Sequence, residues 1–157
     1  MVHLSAGAVI DGGGAELLFN VTHATLSLTN LKLQNGNGTE GGAIAGLFAN
    51  VYCTNCSFTE NEATVGGGAL AVVGSDVAFW GDTYFGQNVA VDGQGGALRL
   101  QDSSTLFEGG NVVFEANIAS EGGAISGKMA GEVNFTGSRY CAARQCTTHC
   151  APRTVMC

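Results

Sequence analysis

Gly41-Gly42-Ala43-Ile44, Gly67-Gly68-Ala69-Leu70, Gly95-Gly96-Ala97-Leu98 and Gly122-Gly123-Ala124-Ile125 are four copies of one short phrase. Measured on the alanine (43, 69, 97, 124), the steps are 26, 28 and 27 residues, a period at which repeats are stacked supersecondary units. A second phrase alternates with the first. Phe58-Thr59-Glu60-Asn61, Phe85-Gly86-Gln87-Asn88 and Phe114-Glu115-Ala116-Asn117 each end five to seven residues before the next Gly-Gly-Ala. The chain is expected to wind as a solenoid.

Each coil contains a third element, an aromatic-ended strand: Val51-Tyr52, Val77-Ala78-Phe79, Leu106-Phe107 and Val133-Asn134-Phe135. Short segments rich in Val, Phe and Thr and bounded by Gly, Asn and Asp fit strands and turns, and no window carries a 3.6-residue apolar stripe. Three extended segments and three turns per coil are expected. Stacking in register sets like above like at about 4.8 Å, so every repeated position becomes a ladder. Ile44, Leu70, Leu98 and Ile125 form one apolar ladder on this reading. Phe58, Phe85 and Phe114 form another, extended by Leu31 before and Cys141 after. Asn61, Asn88 and Asn117 stack at a corner, where an amide tolerates a left-handed backbone and bonds the neighbouring coil. Gly12-Gly13-Gly14-Ala15 reads as a fifth, degenerate copy of the glycine phrase, 28 residues before Ala43.

The alternating pair resembles the repeat of the chlamydial polymorphic membrane proteins, over roughly residues 26 to 144. That resemblance implies an all-β, right-handed parallel β-helix, pectin-lyase-like in architecture and about five coils long here. It implies a non-catalytic adhesin without cofactor, the outer-membrane passenger of an autotransporter at the cell surface. Its partner would be a host-cell or matrix protein or a glycan. Similar repeats occur in surface proteins of algae and protists, where the coils would serve as an extracellular, glycosylated stalk or wall protein. The matches Asn20-Val21-Thr22, Asn37-Gly38-Thr39, Asn55-Cys56-Ser57 and Asn134-Phe135-Thr136 to the N-glycosylation acceptor fit that second expectation.

Composition narrows the function classes. Only 12% of the chain is charged and 45% is apolar, the opposite of the balance that keeps a chain disordered. All 13 acidic residues precede Arg139, against three basic ones, so the body carries 3 − 13 = −10, and Arg139, Arg144 and Arg153 give the tail +3. An acidic body repels nucleic acid and anionic lipid. No stretch approaches the length of an apolar bilayer span, so membrane insertion by this segment is not expected. Met1-Val2-His3-Leu4 lacks the basic and apolar regions of a signal peptide, which leads to the expectation of a fragment of a longer solenoid. Open coil ends expose unpaired strand edges, so end-to-end or lateral self-association joins the expected contacts.

Residues 1–140 are expected to form the β-helix and 141–157 a Cys-rich tail. The six cysteines, Cys53, Cys56, Cys141, Cys146, Cys150 and Cys157, read first as disulfide partners in a surface solenoid. Zinc is the competing use, but with His149 the tail spacings match no common finger. The rival class for the whole chain is a polysaccharide lyase or hydrolase, which needs clustered carboxylates. Asp76 and Asp102, 26 residues apart and beside Arg99, are the best such constellation by spacing, although turn capping explains them more simply. The row Glu40, Gln94 and Glu121 reads as an exposed corner rather than a calcium site. Thr25, Thr29, Thr54, Thr59 and Thr64 do not recur in later coils, which removes an ice-binding face. The non-repeating turns, Gly36 to Glu40, Gly81 to Tyr84 and Val91 to Gln94, are the candidate contact segments.

Overall fold

A computed structural model describes residues 7–128 and 132–143. Among these residues every element is a β-strand, every pairing is parallel, and no helix occurs. The strands stack as a β-solenoid of about five turns. Each full coil has four extended segments rather than the three expected. The coil from Asn50 to Val73, for example, contains Asn50–Thr54, Ser57–Thr59, Glu62–Gly66 and Leu70–Val73. The following coil keeps Asp76–Trp80 and Thr83–Gly86 apart, and in the one after it the first two segments run together as the twelve-residue strand Ser104–Glu115, which joins both faces into one nine-stranded sheet. Sheets of five and four strands close the other sides.

The glycine phrase marks a corner where two different steric demands fall on adjacent residues. Gly67 sits at φ +64°, a left-handed conformation that a Cβ disfavours. Gly68 has an ordinary φ, but a Cβ there would overlap the carbonyl oxygen of Gly96 in the next coil. Ala69 follows, fully buried, and its N–H donates to Ala97 O at 3.0 Å. One residue later Leu70 is the Cα partner of Ile44 on one side and Leu98 on the other, and Leu98 pairs with Ile125. The Gly12–Ala15 run does not belong to this corner. Phe19 is the partner of Ile44 and Gly14 N donates to Asn35 O, so these glycines lie at the corner of the asparagine phrase.

Two columns of stacked rings fill the core. Phe85 lies 4.9 Å from Phe58 and 4.9 Å from Phe114, its ring nearly parallel to both. Phe107 stacks at 4.8 Å on Phe79 and at 4.7 Å on Phe135. The columns meet edge to face, with Phe79 and Phe85 5.3 Å apart at 83°, so quadrupoles are matched both along and across the stack. The ring spacing equals the strand spacing, so the rings inherit their contacts from the backbone ladder.

Register corrects several expected rungs. The Phe58 partner in the preceding coil is Leu33, not Leu31, and Phe114 faces Ala142, not Cys141, which pairs with Val113. Phe79 faces Cys53 rather than Tyr52. A one-residue offset exchanges the two faces of a strand, so Cys53 enters the core and Tyr52 turns outward. The asparagines are not the left-handed residues of their corner. Positive φ falls on the residue before each, Glu60 at +55°, Gln87 at +56° and Ala116 at +52°, and the asparagine side chain turns inward.

Candidate functional site

Asn61, Asn88 and Asn117 form a continuous buried amide column. Asn88 Nδ2 donates to Phe58 O at 3.0 Å and to Asn117 Oδ1 at 2.9 Å, while its own Oδ1 accepts from Asn61 N at 3.2 Å and Asn61 Nδ2 at 3.0 Å. Gly36 N donates to Asn61 Oδ1 at 2.9 Å and ends the column. A second column, which spacing alone did not single out, is made of serines. Ala49 N donates to Ser75 Oγ at 2.9 Å and Ser75 N donates to Ser103 Oγ at 3.0 Å. Its signal in the sequence is a serine 28 residues from another after a turn residue, weak because Ala24 and Ala49 hold the same place in earlier coils. Both columns satisfy corner amides of the preceding coil, so their chemistry is structural.

Cys53 and Cys56, read first as disulfide partners, are free thiols buried in the core. Cys53 belongs to the strand Asn50–Thr54, Asn55 turns the chain at φ +50°, and Cys56 follows at the start of the next face. Cys56 Sγ donates to Thr54 O at 3.4 Å; interaction with the neighbouring Cys53 thiol lowers Cys56 to about 7 against the upward push of burial, while the same interaction together with burial raises Cys53 well above the ordinary thiol range. The strand Val133–Ala143 includes Cys141. Cys146, Cys150 and Cys157 lie outside the described residues.

The carboxylate pair that the rival catalytic reading would need does not stack in register. Asp76 is the partner of Ser104, whereas Asp102 belongs to the corner after Gln101, opposite Gly74. Arg99 joins neither: its Nη1 bonds Glu40 Oε2 at 2.8 Å, two coils away, reaching over Gly66. In the row Glu40, Gly66, Gln94, Glu121, the remaining carboxylate accepts from Gln94 Nε2 at 2.6 Å. Among the described residues no group of three or more His, Cys, Asp or Glu side chains is placed to hold a metal ion. Of the four glycosylation matches, Asn20 is exposed on an outer strand face, whereas the amides of Asn37, Asn55 and Asn134 donate to Gly14 O, Asn30 Oδ1 and Glu132 Oε2.

The nominated contact turns are largely strands. Asn37–Glu40 and Val89–Gln94 pair with Glu62–Gly66, with register breaks between Gly38 and Glu40 and between Ala90 and Gln94. The more distinctive surface is the outer face of the strands Asn50–Thr54, Asp76–Trp80 and Ser104–Glu115. Tyr52, Ala78, Leu106 and Asn134 are successive rungs of one outward row. The small Ala78 between two large neighbours leaves a notch, and the notch opens into a groove of about 460 Å³ that runs over Ser104 to Asp76 and Glu132. The Tyr52 ring leans on Trp80 at 5.5 Å, and the Trp80 indole N–H donates to Glu108 Oε2 at 3.1 Å.

Against known proteins, no curated sequence and no solved structure matches the chain. The Chlamydia polymorphic membrane protein repeat matches residues 55–72 and 111–128, each holding one Phe-x-x-Asn phrase and the Gly-Gly-Ala that follows it, and the chain thus carries the repeat of that family.

Proposed function

We propose that this chain is a segment of a cell-surface β-solenoid that presents its outer faces to a partner, working by adhesion and not by chemistry. One observation carries this reading: the repeated residues are used inside, and the outside varies. The Gly-Gly-Ala and Phe-x-x-Asn phrases supply buried rungs and coil-to-coil hydrogen bonds. The outward rows change from coil to coil, as in Tyr52, Ala78, Leu106 and Asn134, or Thr54, Trp80, Glu108 and Thr136. A regular scaffold with a variable exterior is how solenoids display binding surfaces. The match to a bacterial membrane-protein repeat supports surface placement. The separation of Asp76 from Asp102 removes the best constellation for polysaccharide cleavage.

The test is binding of the fluorescently labelled, purified chain to cultured animal cells and to immobilised extracellular matrix. Substitutions on the outward rows are expected to lower binding while conservative rung exchanges such as Leu98→Ile leave it intact. Binding no greater than that of an inert protein of equal charge would overturn the reading.

A further inference from the structure

The groove over Ala78 and Ser104 has a shape and a charge that together specify an occupant. Its walls are Tyr52 and Leu106, separated by two strand spacings, roughly 9.6 Å, with the methyl of Ala78 as floor. Beside this apolar slot, Asp76 and Glu132 stand on either side of Ser104, again about two strand spacings apart. Among the described residues, every ionisable one lining the groove other than Tyr52 is acidic, and none of Lys32, Arg99 or Lys128 lines it. Glu132 accepts one hydrogen bond from Asn134 Nδ2. The Asp76 carboxylate has no side-chain partner among the described residues, so its oxygens face solvent at the mouth of the slot.

We propose that this groove binds an arginine-bearing segment of a partner protein, with the methylenes and an apolar neighbour in the slot between Tyr52 and Leu106 and the guanidinium between Asp76 and Glu132. A planar guanidinium presents donors on opposite edges and is weakly hydrated, which suits a site with one carboxylate on each side and an aromatic ring within reach. An apolar wall with a few convergent polar groups is the usual build of a recognition site. The negative charge of the body favours encounter with a basic partner. This inference rests on the reading of the outer face as a presentation surface and names the class of partner for it.

Trp80 is the only tryptophan of the chain and touches the groove wall, so its emission reports occupancy. The native protein would be titrated with the acetylated, amidated tripeptide Arg-Leu-Arg, with its Glu-Leu-Glu counterpart and with cellobiose. A saturable emission change is expected for the basic peptide alone, weakening as salt is raised. Asp76→Asn and Glu132→Gln, both at exposed positions, should each weaken binding about tenfold. Ala78→Gln should fill the notch and abolish it without changing the circular dichroism spectrum. No saturable response, an equal response to the acidic peptide, saccharide binding in its place, or an Asp76→Asn protein that binds as before would each overturn the proposal. A folded Ala78→Gln protein that loses the peptide but still binds cells would overturn the groove as the adhesive contact and leave the presentation reading standing.

Discussion

Asn88 commits its amide to three neighbours in two other coils, Phe58 O, Asn117 and Asn61, with no water-facing atom left over. Removing it strands those groups in a buried site, at about 1–3 kcal/mol for each one left unpaired. Asn88→Ala is therefore expected to cost about 3 kcal/mol or more in a urea unfolding experiment, whereas Asn20→Ala on the outer face should cost almost nothing. The asparagine spacing was legible in the sequence; that the left-handed residue is its neighbour was not, because Glu60, Gln87 and Ala116 share no chemistry that marks them. Asp11 offers a charge-dependent counterpart. Hydrogen bonds from Gln34 above all, then from Gly13 N and Asn35, hold its carboxyl below the ordinary range. A depressed folded value means stability present above the ordinary carboxylate range and lost as pH falls. The unfolding midpoints of the native chain and Asp11→Asn should differ at neutral pH and converge as pH falls through the depressed titration of that carboxyl.

At the scale of the strand, the decisive variable is register, and it is where spacing alone fails. The step is 26 residues from Cys53 to Phe79, 27 from Phe58 to Phe85 and 28 from Gly66 to Gln94, because the connections between strands take up different numbers of residues. An alignment on aromatic character slips by one where the step changes, as it did for Tyr52 against Phe79. The slip matters because it sent the groove wall into the core and left the cysteine of the adjacent position outside. Glycine and asparagine phrases kept their register because sterics and buried polar groups fix them more tightly than apolar character does. Thr105 shows what one mismatched rung does within a strand. It lies between Val77 and Val133 in an inward row, and its hydroxyl is buried without a hydrogen-bond partner. Thr105→Val preserves shape while removing that unsatisfied group. The variant should be more stable by about 1 kcal/mol, and a loss of stability would mean that the hydroxyl has a partner.

For the molecule as a whole, the repeats specify a scaffold whose stability comes from neighbour-to-neighbour stacking and whose outer surface is free to vary. Fold class and period were legible because they are set by residues that recur. The groove was not, because it depends on residues that do not recur: the small Ala78 between Tyr52 and Leu106, and two acids flanking Ser104. The central claim is that adhesion belongs to the stacked exterior and not to the repeated phrases as linear sequence. Gly68→Val separates the two, since a side chain there collides with the Gly96 carbonyl while every outward residue is retained. The measurement is cell binding by the native and Gly68→Val chains at equal concentration, beside their circular dichroism spectra. The account predicts a β-rich native chain that binds and a variant that loses both spectrum and binding; an unfolded variant that binds as well as the native chain would contradict it.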